Sequence, residues 1–280
     1  MNVVYQILEA LLPFQWIQYD FMKNALVAIL IITPLFGLLG TMIVNNRMAF
    51  FSEALGHSAF TGIAIGIIFG ISDTNLSMVI FAVLFALLLN KIKRLNTIST
   101  DTIISVFASF STAVGLVILS KGGNFSKYSS LLVGDILSIS GKEILFLLLI
   151  FVATMVFWLF AFNKLHALSV NQSLAKSRGV PVILIDNLFV ILIALIVMLS
   201  IKWVGILIIN ALLILPAAAS RNLADDMREY HLYSVLISVF SGILGLILSY
   251  YNNTATGPTI VIVAAVVFFT TLLARPFVKR

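Results

Sequence analysis

The sequence predicts an all-α polytopic membrane helical bundle with about nine transmembrane helices, and three observations predict it. Hydrophobic residues make up 61% of the 280 and charged residues only 10%, with a mean hydropathy of +1.14. That leaves too little polar surface to solvate a globular domain of this length. Apolar stretches recur along the whole chain at about the 20 residues a helix needs to cross a hydrocarbon core of about 30 Å. The basic residues sit in the short loops between those stretches.

Residues 1–20 lack a basic leader and carry Glu9 and Asp20 among scattered apolar residues. That is the pattern of a short interfacial helix rather than of a secretory signal. Spans follow at 22–44, 52–71, 75–91, 101–120, 142–163, 183–201, 203–221, 232–251 and 257–275, and an odd number of crossings puts the termini on opposite sides. With the N-terminus outside, Lys23, Lys121, Lys127, Lys142 and Lys202 face outward, and the other 12 of the 17 basic residues are cytoplasmic along with the C-terminus. This is the bias that membrane topology imposes on lysine and arginine. The formal charge of +6 therefore reports orientation and gives no reason to invoke nucleic acid as a partner; the partner it implies is the lipid bilayer.

No linker or low-complexity tract divides the chain, so residues 1–280 read as a single transmembrane domain. The longest polar interludes, KGGNFSKYSSLLVGDILSISGKE after the fourth span and NKLHALSVNQSLAKSRGVP after the fifth, are too short to form an enzyme domain. GKE at Gly141 to Glu143 lacks the glycine spacing and the hydroxyl of a phosphate loop. Whatever the chain moves, it does not hydrolyse ATP alone. Zero cysteines exclude disulfides and thiolate sites, so any metal must be met by nitrogen and oxygen donors.

The second span carries the most informative residues. Glu53 and His57 lie four apart, so both side chains rise from one helix face and their donor atoms can converge on one ion. Carboxylate oxygen with imidazole nitrogen suits zinc or manganese. A structural reading stands beside this one: Glu53 caps the positive end of the helix and His57 is its hydrogen-bond partner. Ionisable groups inside a membrane are costly enough to favour function. Gly62, Gly66 and Gly70 on the same span form a GxxxGxxxG ridge for close helix packing, pointing roughly opposite to the acid and histidine.

On the fourth span Asp101, Ser105, Ser109 and Thr112 share one stripe, which faces the same path or bonds neighbouring helices. Asn210 needs a polar partner inside the seventh span, and Pro216 removes a backbone donor there and is expected to kink it. His166 and His231 fall in expected cytoplasmic loops and are expected to be solvated. NQSLAKSRGVPV reads as a short surface helix with a glycine stop.

In order, RMAFFSEALGHSAFTG, DTIISVFASFSTAVG, LLVGDILS, AKSRGVPV, WVGILIINALLILPAAASRNLA and GPTIVIVAA resemble the permease subunits of bacterial zinc and manganese ABC importers, almost end to end. The resemblance implies a multi-pass protein of the bacterial cytoplasmic membrane that imports a divalent transition metal by ATP-driven alternating access. Zinc is favoured, with manganese or iron as the alternatives. It implies Glu53 and His57 as transient metal ligands, to which the fourth-span stripe adds Asp101 as a candidate further stop, and Zn2+ or Mn2+ as transported substrate rather than a permanently bound cofactor. It also implies a second copy of the chain, an extracytoplasmic metal-binding protein at the loops Lys121 to Ser140 and Asn252 to Thr256, and a separate cytoplasmic ATP-binding subunit. That subunit would dock on the cytoplasmic loop 166–182, where Asn171, Ala175, Lys176, Arg178 and Gly179 are the coupling candidates. The chain departs from the pattern in carrying Glu53 where aspartate is usual, and Ser109 where some zinc members have histidine.

Three rival readings remain at this point, one of them a purely structural or receptor-like membrane protein, for which metal accumulation would be insensitive to deleting the chain. A proton-coupled secondary carrier would use Glu53, His57 and Asp101 as a relay. An intramembrane protease would use the serine of GHSA at Gly56 to Ala59, without a second intramembrane histidine as base.

Overall fold

A computed structural model of the chain describes residues 5, 6, 9, 15–71, 73–95, 99–121 and 125–278. It is helical throughout, with no strand among the described residues. The principal helices are α1 (Asp20–Asn45), α2 (Ala49–Ile68), α3 (Thr74–Leu95), α4 (Thr100–Lys121), α5 (Gly141–Val170), α6 (Gln172–Ser177), α7 (Val182–Val204), α8 (Ile206–Leu223), α9 (Met227–Asn252) and α10 (Thr256–Val278). Among the described residues, eight of these are long and apolar enough to cross a membrane, and the apolar part of α8, Ile208–Leu223, is shorter. Each of the nine expected spans thus has its helix. Most of the expected interfacial helix over 1–20 lies outside the described residues; within it, Glu9 meets Lys23 at 2.5 Å.

Two expectations about loops are corrected. Helix α9 begins at Met227 because Asp226 caps it, its carboxylate accepting from the backbone N–H groups of Arg228 and Glu229 at 2.7 and 2.9 Å. His231 therefore lies inside a helix, buried, with its Nδ1 2.6 Å from the Thr41 hydroxyl. Helix α5 runs on through the polar Asn163–Lys164 step to Val170, since backbone pairing continues where side-chain polarity changes. His166 is accordingly helical and half-buried, edge-on to Phe162 with ring centres 4.5 Å apart.

The chain forms two compact units. One comprises residues 1–41, 133–153 and 202–280, and small residues set its packing: Gly40 abuts the Leu213 carbonyl, Gly37 accepts from the Ser234 hydroxyl at 2.6 Å, and Gly245 lies against Ile260. Backbones that approach this closely leave no room for a Cβ. At its end, Gly134 and Gly205, with φ of 67° and 90°, cross in direct backbone contact. Pro216 sits within the continuous α8, and Asn210 is half-buried there.

The other unit comprises residues 42–132 and 154–201. Here α2 packs between α3 and α4. A Cβ on Gly62 would come within 3.0 Å of the Met78 Cα, and Gly66 lies against the Ser77 side chain. Gly115 of α4 fits against the backbone of Phe60 and Thr61. The third glycine of the expected ridge behaves differently. Gly70 lies beyond the end of α2 with φ 70°, and a methyl group in place of its hydrogen would meet nothing within 4 Å. Its N–H bonds the Ile67 carbonyl at 3.2 Å and that of Ile71 bonds Gly66 at 2.9 Å, the paired bonds of a glycine-terminated helix. Gly70 stops the helix rather than packing it.

Candidate metal path and coupling element

The entry to α2 is set by Arg47, whose positive φ of 53° turns the chain so that the Met48 N–H reaches the Ile43 carbonyl at 2.9 Å. From there Phe50, Glu53, Ala54 and His57 advance along one face of the helix. They form one wall of an open cavity of about 480 Å3, and Ile104, Ser105, Ala108, Ser109, Thr112, Ala113 and Leu116 of α4 form the other. The walls are held together by the Thr61 hydroxyl donating to the Ser111 carbonyl, and by the Ser111 hydroxyl donating to Thr61 at 3.1 Å.

Glu53 Oε1 and His57 Nε2 are 4.0 Å apart, and their side chains are 44% and 29% exposed. Two donors each about 2.1 Å from a tetrahedral ion would stand about 3.4 Å apart. The pair must therefore close by roughly half an ångström, which small side-chain rotations supply at low cost. Among the described residues no cluster of three or more histidine, cysteine or acidic side chains could hold a metal. One chain thus offers two strong donors, with the hydroxyls of Ser105, Ser109 and Thr112 as weaker ones. The Thr112 hydroxyl is already engaged with the Ala108 carbonyl at 2.7 Å.

The sequence stripe on α4 divides. Ser105, Ser109 and Thr112 line the cavity, whereas Asp101 stands exposed on the first turn of α4 and does not. The serine of GHSA is Ser58, fully buried with its hydroxyl donating to the Leu55 carbonyl at 2.7 Å. It has none of the access a nucleophile requires.

The coupling candidates form one compact element. Asn171 caps α6, accepting from the Ser173 and Leu174 N–H groups at 2.9 and 3.1 Å. Gly179, with φ 76°, ends it: its N–H bonds Lys176 at 3.0 Å and that of Val180 bonds Ala175 at 3.1 Å. Ala175 is buried, while Lys176 and Arg178 are exposed. A groove of about 850 Å3 runs beside it, lined by Lys176, Pro181, Ile183, Asn187 and Arg94 among others.

Sequence reasoning missed the polar cluster behind that groove. Arg94 Nη2 lies 2.7 Å from Asp186 Oδ2, and Asn90 Nδ2 donates to Asn187 Oδ1 at 2.8 Å. The available signal was Asp186–Asn187 inside the otherwise apolar VILIDNLFV.

Comparison with known proteins agrees with this architecture. The chain is 29% identical over 240 residues to the high-affinity zinc uptake system membrane protein ZnuB of Buchnera aphidicola, covering 85% of this chain and 92% of that one. It is 28% identical over 259 residues to the manganese import system permease protein ScaB of Streptococcus parasanguinis, covering 92% of each. Among solved structures, PsaBC from Streptococcus pneumoniae in complex with Fab superposes with a TM-score of 0.78 at 25% identity, over 97% of this chain and 95% of that one. A family model matches residues 18–275, and the chain is accordingly a member of the ABC 3 transport family.

Proposed function

We propose that the chain is the permease subunit of an importer that carries a divalent transition metal ion, zinc in preference to manganese or iron, into the bacterial cytoplasm. The observation that carries this reading is the Glu53–His57 pair facing a hydroxyl-lined wall across an open cavity. The names of the similar proteins, one a zinc uptake and one a manganese import component, support the same cargo class. The proton-coupled carrier finds no support among those relatives.

A hydrated divalent ion meets a large desolvation cost in a low-dielectric path. The Glu53 carboxylate offsets part of its charge, the His57 imidazole replaces a water, and the hydroxyls of Ser105 and Ser109 replace others. Two strong donors lower the barrier without trapping the ion, which a conduction site requires. Asp101, exposed one turn before Ser105, acts as an earlier or later stop rather than as a ligand in the cavity itself.

The open cavity lies within a membrane-spanning region, and Ser105 and Ser109 are exposed beside Val106 and Phe110. Hydroxyls and a carboxylate facing hydrocarbon would be costly, so a second copy of the chain covers this face. ATP hydrolysis comes from a separate cytoplasmic subunit that docks on α6 and the exposed Lys176 and Arg178. An extracytoplasmic binding protein delivers the ion, and the C-terminus is cytoplasmic.

The test is uptake of radiolabelled zinc and manganese by proteoliposomes holding the chain with its ATP-binding subunit. The Glu53→Gln and His57→Ala variants are expected to lose at least tenfold in initial rate with the ATP-binding subunit still bound. Uptake at the unmodified rate by both variants overturns the assignment.

A further inference from the structure

We propose that the Arg94–Asp186 pair, with Asn90 and Asn187, is the link through which movement of α6 is passed to the α2–α3 helix pair. The inference rests on the reading that α6 receives the ATP-binding subunit and that α2 carries the metal stop.

The connection can be followed without a gap. Helix α6 joins α7 through Arg178, Gly179, Val180 and Pro181, and this turn is stiff: the Val180 N–H bonds Ala175 and the Ile185 N–H bonds the Pro181 carbonyl at 3.0 Å. Proline fixes one backbone angle of that turn. A displacement of α6 therefore reaches the first turns of α7. There Asp186 takes the Arg94 guanidinium at 2.7 Å, while the same nitrogen lies 3.3 Å from Asn187 Oδ1 and 3.4 Å from the Ile183 carbonyl. Asn90, 1% exposed, adds its bond to Asn187 one turn deeper. Arg94 and Asn90 belong to α3, which meets α2 at Gly62, against the Met78 backbone, and at Gly66, against the Ser77 side chain.

The chemistry of the junction decides what it can transmit. Apolar side chains such as Leu89, Ile185 and Phe189, all buried, gain nearly as much from one packing arrangement as from another and permit one helix to slide past its neighbour. A guanidinium held by a carboxylate and two further acceptors is directional. With side chains only 23% and 13% exposed, water is a poor substitute for either partner. The cluster fixes the register of α7 on α3, so a push on α6 moves α3 and, through the glycine contact, α2.

The chain contains no cysteine, so a single Phe50→Cys substitution in the cavity wall reports its accessibility to a thiol reagent. In the complex with the ATP-binding subunit, ATP is expected to change the labelling rate at least threefold. Adding Asp186→Asn is expected to abolish that ATP dependence while ATP turnover stays within twofold. The exchanged pair Arg94→Asp with Asp186→Arg is expected to restore it. Three results overturn the proposal: ATP-dependent labelling that survives Asp186→Asn, an exchanged pair that assembles without recovery, or absence of ATP dependence in the Phe50→Cys protein. Failure of both the single and the exchanged variant to assemble also overturns it, because the pair is then a folding element. Thiol labelling needs no metal, so its outcome is independent of the zinc uptake of Glu53→Gln, on which the cargo reading stands or falls.

Discussion

Glu53 has one methylene more than an aspartate, and its carboxylate stands 4.0 Å from His57. Shortening it withdraws an oxygen from a pair that, in the proposed role, would have to draw together to grip an ion. The Glu53→Asp variant is expected to keep measurable uptake but to change the ratio of zinc to manganese rates by severalfold, read by competition between the two isotopes. Ser109, on the facing wall, sits within the same cavity; Ser109→His supplies a third strong donor and is expected to slow zinc release, seen as a lower maximal rate with a lower half-saturating concentration. The acid and histidine were legible because a four-residue spacing fixes their common face whatever the rest of the chain does. Asp101 was not, since periodicity reports the face of a helix but not how far along it a neighbour extends. His231 was misread for a local reason: the Asp226 cap starts α9 five residues ahead of the apolar run from which a span is recognised.

At the level of the helices, contact and termination use the same residue type. Gly62 and Gly70 have identical spacing relative to Gly66, yet one meets Met78 and the other turns the chain. Sequence spacing cannot separate these roles, because the end of α2 is set by the backbone bonds at its last turn. Substitution separates them. Gly115→Ala places a methyl 2.5 Å from the Thr61 backbone nitrogen and is expected to destabilise the protein by about 1–3 kcal/mol, visible as a lower midpoint of thermal unfolding in detergent. Gly179→Ala meets no neighbour but must hold a positive φ, at a cost of about 1 kcal/mol. It is expected to lower that midpoint less than Gly115→Ala does and to weaken capture of the ATP-binding subunit, measured by co-purification. The Arg94–Asp186 pair was invisible to sequence spacing because its members are 92 positions apart.

For the molecule as a whole, the apolar composition and the recurrence of spans made the helical membrane architecture readable, while the ends of α8 lie at Gly205, with φ 90°, and at Ala224, in extended backbone, which no hydropathy window contains. The purified chain alone, in vesicles under an imposed proton gradient, is expected to show no concentrative zinc uptake; addition of the ATP-binding subunit and ATP is expected to produce it. Concentrative uptake by the chain alone would restore the secondary carrier. Helix α8 also carries a consequence for how the protein is made. Its 18 residues rise about 27 Å, short of the roughly 30 Å hydrocarbon layer, and Asn210 lies within them. During synthesis it emerges before α9 and α10 exist, so the earlier α1, through the contact of Gly40 with Leu213, is a partner already available to it in that unit. A bulky residue at Gly40 would then act during biogenesis: the newly made chain would fail to retain α8 in the bilayer and be degraded, and the defect would be counted in copies of protein per membrane rather than in ions per copy.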